Sequence, residues 1–120
     1  MALDPAQWAA WAAHHVNGVT SNGVRVELDS VAFAKQWHPG LDESKLGSAA
    51  ILFFHVQSRE EVDRVHDRAV AAGSRSHKPP EDAFWGARYA IVEDPDGNSV
   101  GIMSPIDGSM RRPPPPAPRG

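Results

Sequence analysis

The strongest constraint on this chain is a short apolar run that leads straight into a capped helix. Residues 49–56 read AAILFFHV, an apolar and aromatic stretch suited to a buried strand. Ser58 and Glu61 then form a Ser-x-x-Glu capping box. Val62, Val65, Ala69 and Ala72 fall on one helical face, and Gly73 stops the run. The spacing therefore predicts a strand, then a helix over 58–72 with one apolar face. Such a helix needs a sheet to lie on, so more strands must follow.

They do. ARYAIVE (87–93) reads as a strand, DPDG (94–97) as a turn and NSVGIMSPI (98–106) as the returning strand. The acids and glycine of VEDPDGNSVGI raise the alternative of a calcium loop, which fails on spacing. An EF-hand loop places glycine sixth and a bidentate glutamate twelfth. Here Gly97 comes too early, and the twelfth position from Asp94 is Pro105. A turn needs nothing extra: Pro95 presets one turn angle and Asp96-Gly97 permits positive φ. Upstream, SRSHKPPEDAFWG is polar and proline-broken, a short edge strand running into a loop.

Toward the N-terminus, Asp4-Pro5 is a good helix opening, and Trp8, Trp11, His15 and Val16 recur at helical spacing until Asn17-Gly18. This predicts a helix over 4–16. Val24, Val26 and Leu28 alternate with Arg25, Glu27 and Asp29, predicting a half-buried strand, and KQWHPGLDESKLGS reads as a loop. From Gly18 onward the order is strand, strand, helix, three strands. Residues 1–107 then make one domain, and 108–120, ending RRPPPPAPRG, a disordered, extended, polyproline-like tail. Four prolines flanked by arginines also suit a proline-reading partner.

Composition narrows the function. The chain has 120 residues, 41% of them apolar, enough for one modest core. A net charge of −3 gives no basic face for nucleic acid. The absence of cysteine removes thiolate metal sites and a cysteine nucleophile. No run nears the ~20 apolar residues that span a bilayer, and the start lacks the cationic end of a signal peptide. A cytoplasmic protein without membrane contact is expected.

The capped unit ILFFHVQSREEVDRVHDRAVAAG, followed by FWGARYA and VEDPDGN, resembles the second βαβββ module of the vicinal oxygen chelate superfamily. That family holds glyoxalase I, fosfomycin-resistance enzymes, extradiol dioxygenases and bleomycin-resistance proteins. The likeness runs well over residues 48–106 and poorly before them. It implies an α+β fold of paired βαβββ modules forming a cupped mixed sheet, with the second module complete and the first truncated, its opening strand missing.

The family's enzymes hold a divalent metal in the cup with His, Glu or Gln. The resemblance puts the closing glutamate at the position of Gly101, four residues after the turn glycine, and a histidine at or near Ile51. Glu27 is a candidate for a third ligand, and the strand for the first is not apparent. No metal and no cofactor are therefore expected. His14 and His15, about 100° apart on a helix, cannot share a metal. His66, among charged residues, reads as surface. His38 and His77 are loop residues able to rim a pocket. His55 shares strand parity with Phe53 and faces the cup if Leu52, Phe54 and Val56 pack on the helix.

Without ligands the cup becomes an aromatic concavity. Trp37, Phe53, Phe84 and Trp85 are its candidate walls, and Ser99, Gly101 and Met103 its floor on the last strand. His38 and His55 complete the candidate ligand-binding set. Each aromatic could equally be core. Such a surface suits a planar or amphipathic small molecule. The resemblance then implies a metal-independent binding protein of the bleomycin-resistance type, hence a role in antibiotic resistance. A metal-dependent lyase, isomerase or dioxygenase using Glu27 and His55 is the alternative. An unpaired sheet edge left by a half-built first module would favour a homodimer, with Trp8 and Trp11 at its interface.

Overall fold

A hairpin, a short helix and a complete βαβββ unit follow one another along the chain. The computed structural model describes residues 10–12, 14–42, 44 and 50–117. Strands β1 (His15–Val19) and β2 (Arg25–Asp29) pair antiparallel in a two-stranded sheet, and helix α1 covers Val31–Trp37. After them come β3 (Leu52–His55), α2 (Arg59–Ala71), β4 (Ser76–Asp82), β5 (Arg88–Glu93) and β6 (Ser99–Met103). The result is an α+β fold whose main sheet is mixed, in the order β3-β6-β5-β4.

Helix α2 forms where the spacing predicts. Ser58 Oγ accepts the Glu61 N–H at 3.1 Å, Glu60 and Glu61 lie in the first turn, and Arg68 lies in the last. Val62, Val65 and Ala69 then meet Ala90, Val92 and Ile102 from the sheet. Val62 is completely buried, worth roughly 1.5–3 kcal/mol relative to exposure. Because α2 carries the chain back across one face, β3 runs parallel to β6, while β6-β5 and β5-β4 are antiparallel.

The β5–β6 connection is a turn. Asp94 Oδ1 accepts the Asp96 and Asn98 N–H groups at 2.9 and 2.8 Å, and its Oδ2 accepts from the Asn98 amide at 3.0 Å. Gly97 has φ +87°, the left-handed geometry that favours glycine. Hydrogen bonds from Asn98, then from Asp96 and Gly97, hold the Asp94 carboxyl below its ordinary pKa. That carboxylate is engaged in closing the loop. β4 is an edge strand carrying Pro79 and Pro80, and its pairing with β5 breaks register around them.

The N-terminal third departs from expectation. Residues 1–9 and 13, most of the predicted helix over 4–16, lie outside the described residues, and so does Trp8. His15 to Gly18 belong to β1. Asn17-Gly18 is a poor helix segment, and β2 offers a full ladder, His15 opposite Asp29 and Val19 opposite Arg25. The strand predicted near 24–29 is present but not half-buried: Val24, Val26 and Leu28 are 54%, 50% and 68% exposed. Helix α1 was not expected: residues 31–34 close the stretch read as a strand, and 35–37 open the stretch read as a loop. Its signal is Ser30, whose Oγ caps the Phe33 N–H at 3.1 Å. Leu52 and Phe54 do not pack on α2; β3 is an edge strand, and only Val56 reaches that core. His66 is buried, its Nε2 2.8 Å from Ser76 Oγ.

From Arg111 to Ala117 the chain takes neither helix nor strand, yet it lies on the body, with Pro114 buried. Gly108–Met110 make a short 3-10 turn where an extended form was expected, and the docking of the segment after it is something composition does not suggest. Among the described residues no helix is long and apolar enough to cross a membrane.

Candidate functional site

The main sheet has two unlike faces. One carries Ala90, Val92 and Ile102 under α2. The other carries Tyr89, Ile91 and Met103, packed with Ala83, Phe53, Trp85 and Trp37. This second face is the cup, and aromatic rings line it.

Helix α1 delivers Trp37 into the cup. Its ring meets Phe53 edge-on, with centroids 5.5 Å apart, and its Nε1 donates to Asp29 Oδ2 at 3.1 Å. Tyr89 Oη donates to the Trp37 carbonyl at 2.8 Å. Burial, and secondarily Glu81, raises the Tyr89 phenol above its ordinary pKa, so it stays a donor at neutral pH. Trp85 lies 5.0 Å from Tyr89 and directs its Nε1 to Met103 Sδ at 3.3 Å. Trp37, Phe53, Trp85 and Met103 remain half-buried, so part of this wall is open.

At one end the wall meets a polar corner. His38, 3% exposed, places Nε2 3.0 Å from Ser99 Oγ. Its Nδ1 is buried with no hydrogen-bond partner among the described residues. The His77 ring lies 5.7 Å away, and His77 Nε2 is 3.3 Å from Glu93 Oε1 but out of hydrogen-bonding alignment, leaving a second buried nitrogen unbonded. Gly40 closes the corner: a Cβ there would stand 3.4 Å from His77 Nδ1 and 3.8 Å from His38 Nδ1. Burial, then the neighbouring His77, lowers the His38 pKa, which favours neutral imidazole. Two buried, unbonded imidazole nitrogens beside an aromatic wall are an unspent capacity for hydrogen bonding.

Of the nine predicted ligand-binding residues, the structure gathers Trp37, Phe53, Trp85 and Met103 on one wall and His38 with Ser99 at its corner. Gly101 lies beneath Phe53; a Cβ there would overlap the Phe53 ring. His55 shares the cup side by strand parity but sits exposed on the edge strand. Phe84 is buried with Trp11 and Phe33, behind the wall residues Trp37 and Trp85 that pack on that cluster too. Tyr89, Ile91 and Glu93 were missed, although alternation along RYAIVE puts all three on one face.

The metal that the family's enzymes carry does not fit these residues. The closing-ligand position, Gly101, is filled from above by Phe53, and the position near Ile51 is apolar. Glu27 is exposed in the β1–β2 hairpin, 3.9 Å from Arg25. Among the described residues no three His, Cys, Asp or Glu side chains group to hold a metal ion.

Comparison with known proteins agrees with this architecture. The profile of the Glyoxalase/Bleomycin resistance protein/Dioxygenase superfamily matches residues 9–102. No functionally curated protein matches significantly. Among solved structures, an NAD-dependent benzaldehyde dehydrogenase from Legionella pneumophila is similar with a TM-score of 0.54 and 22% identity, over 76% of this chain and 71% of that one. A glyoxalase/bleomycin resistance protein/dioxygenase from Nocardioides is similar at TM-score 0.46 and 20% identity, over 80% of this chain and 64% of that one. One from Burkholderia phytofirmans PsJN gives 0.45 and 19%, over 86% and 91%. With the βαβββ module in place and the profile spanning most of its length, the chain belongs to the glyoxalase/bleomycin resistance protein/dioxygenase superfamily.

Proposed function

We propose that this chain binds a flat, apolar or amphipathic small molecule against its aromatic wall and releases it unchanged, without metal chemistry. The observation that carries this reading is the Phe53 ring lying over Gly101, which puts an aromatic surface where the family's enzymes place a carboxylate ligand. Trp37, Trp85 and Tyr89 extend that surface, and His38 Nδ1 with His77 Nε2 offers unbonded polar groups at its end. Rings for contact area and a few convergent polar atoms for orientation make a small-molecule site.

Titration of the purified protein with a library of planar and amphipathic compounds tests this through the fluorescence of Trp37 and Trp85. Saturable changes with unmodified compound recovered are expected. Phe53→Leu, which preserves apolar volume but removes the ring, should weaken binding about threefold to tenfold, the worth of an aromatic contact. Elemental analysis accompanies the titration. Stoichiometric Zn, Ni, Mn or Fe retained through chelation, and lost on substituting Glu27 or His55, would replace this reading with the metal-dependent one.

We also infer a homodimer. Leu52 and Phe54 on edge strand β3 are 67% and 59% exposed in the single chain, and the apolar side of the hairpin is open as well. A self-complementary contact covers both patches at once. Light scattering on the eluting protein should give twice the chain mass, and Phe54→Lys should return it to the single-chain value.

A further inference from the structure

We propose that the aromatic cluster of Trp11, Phe33 and Phe84 is a polyproline-reading groove, and that the chain's own segment 111–117 is its resident ligand. The site adjoins the cup, since Trp37 and Trp85 pack on both clusters, but it does not depend on the function proposed for the cup.

The segment's covalent chemistry dictates its shape. Proline fixes φ near −65°, and each residue before a proline is pushed to extended geometry. Arg111, at φ −69° and ψ 142°, already has polyproline II angles. That helix turns once every three residues and leaves its carbonyls unbonded. Several residues of the segment touch the body. Arg111 Cγ lies against Gly86, where it would be 2.9 Å from an added Cβ; Pro114 is buried; Ala117 packs on the aromatic cluster. Burial peaks at Pro114, with Pro113, Pro115 and Ala117 half-buried and Pro116 exposed.

The groove supplies what such a ligand requires. Trp11 and Phe33 meet edge-on with centroids 5.1 Å apart, and Phe33 meets Phe84 at 6.1 Å, forming an aromatic trough. The buried Trp11 Nε1 donates to the Pro115 carbonyl at 2.7 Å, across 104 residues of sequence. Upstream, the Arg112 N–H donates to Phe84 O at 2.9 Å, and its guanidinium donates to Asp82 O at 2.7 Å. Aromatic side chains lining a groove, plus an indole N–H aimed at a proline carbonyl, are the means by which proline-rich segments are held. The anchor before the segment is independent: the Asp107 N–H donates to Gly86 O at 2.9 Å. The tail can therefore leave the groove while staying tethered a few residues away.

That tether hides the site from a competitor, because a short linker gives an effective concentration of about millimolar. The test thus uses the full chain with Pro113, Pro114, Pro115 and Pro116 all changed to serine, which removes the preset shape and leaves the groove intact. A synthetic peptide of the natural sequence from Arg111 to Ala117 is titrated in, and the Trp11 indole N–H is followed by NMR. A saturable shift is expected. A peptide of equal charge with the prolines replaced by serine should bind about tenfold more weakly, and Trp11→Phe in the serine chain should weaken the natural peptide about fivefold, the value of one hydrogen bond. Equal shifts from both peptides would mean charge alone is recognised. No shift, with the β-sheet signals intact, would mean the tail is ordinary surface packing. Either result overturns the proposal. If the serine chain does not fold, Pro114→Ala in the full chain takes its place. A third reading needs no peptide: Trp11→Phe should speed hydrogen exchange at the Arg112 amide at least fivefold, and an unchanged rate counts against the groove.

Discussion

The two faces of the four-stranded sheet are built from alternate residues of the same strands, yet they are finished differently. The face under α2 is aliphatic, and Val62, Ala90 and Ile102 there are 0–3% exposed. The cup face is aromatic; Trp37, brought by α1, only partly covers it, and the corner beside it holds two buried imidazole nitrogens without hydrogen bonds among the described residues. A helix presenting Val62, Val65 and Ala69 can fill the space above small aliphatic side chains to interior density. Rings of Trp and Tyr, with polar atoms to satisfy, cannot be closed by one helix end. The contrast makes the cup face the one on which the proposed binding rests.

Neighbouring residues on β6 put that contrast at risk most directly. Ile102 points to α2 and Met103 to the cup. Ile102→Ala should cost about 2–5 kcal/mol, since it opens a cavity in a packed core. Met103→Ala should cost about 1–2 kcal/mol, because half-buried area is all that is lost, while weakening ligand binding. Urea denaturation of both variants measures the gap. Equal costs would mean that the cup is simply a second core.

Gly101 is a finer probe. A methyl group there would overlap the Phe53 ring, so Gly101→Ala should cost about 1–3 kcal/mol by overpacking. Removing the ring should relieve it. In the Phe53→Ala background the glycine substitution should cost less than in the natural chain, a coupling of about 1 kcal/mol or more in a double-mutant cycle. Additive costs would mean that Phe53 does not rest on Gly101.

What the sequence disclosed follows the reach of its signals. The Ser58 cap, the apolar face of α2 and the DPDG turn act within a few residues, and all appear in the structure, although the Glu61 carboxylate bonds Arg64. The cup wall was half legible: strand parity placed Phe53, Gly101 and Met103, but α1 was hidden because VAFAKQW is short and its cap at Ser30 went unread. The His38 corner depends on contacts across 61 residues to Ser99, which no local pattern encodes. Phe84 looked like a wall residue from its place in FWG, yet Phe33 and Trp11 draw it into another cluster. β1 shows the same limit, since Asn17-Gly18 looked like a helix stop until β2 supplied its partners.

The smallest expected effect concerns the polar corner. Burial and the adjacent His77 hold His38 below its ordinary pKa of 6.5. The groups facing it are Ser99 on β6 and His77 on β4, with Glu93 on β5 beyond His77. Below 6.5 the unfolded chain takes up a proton at this position that the folded chain resists. His38 therefore contributes to a loss of stability that begins as pH falls past that value, and contributes nothing above it. His38→Gln cannot titrate and keeps a side chain able to bond Ser99. The difference in stability between the natural chain and this variant should thus be constant above that pH and should shift against the natural chain as pH falls. A flat difference throughout would show that His38 is solvated rather than buried beside His77, and the unbonded nitrogen at the end of the aromatic wall would no longer be a place for a ligand's polar group.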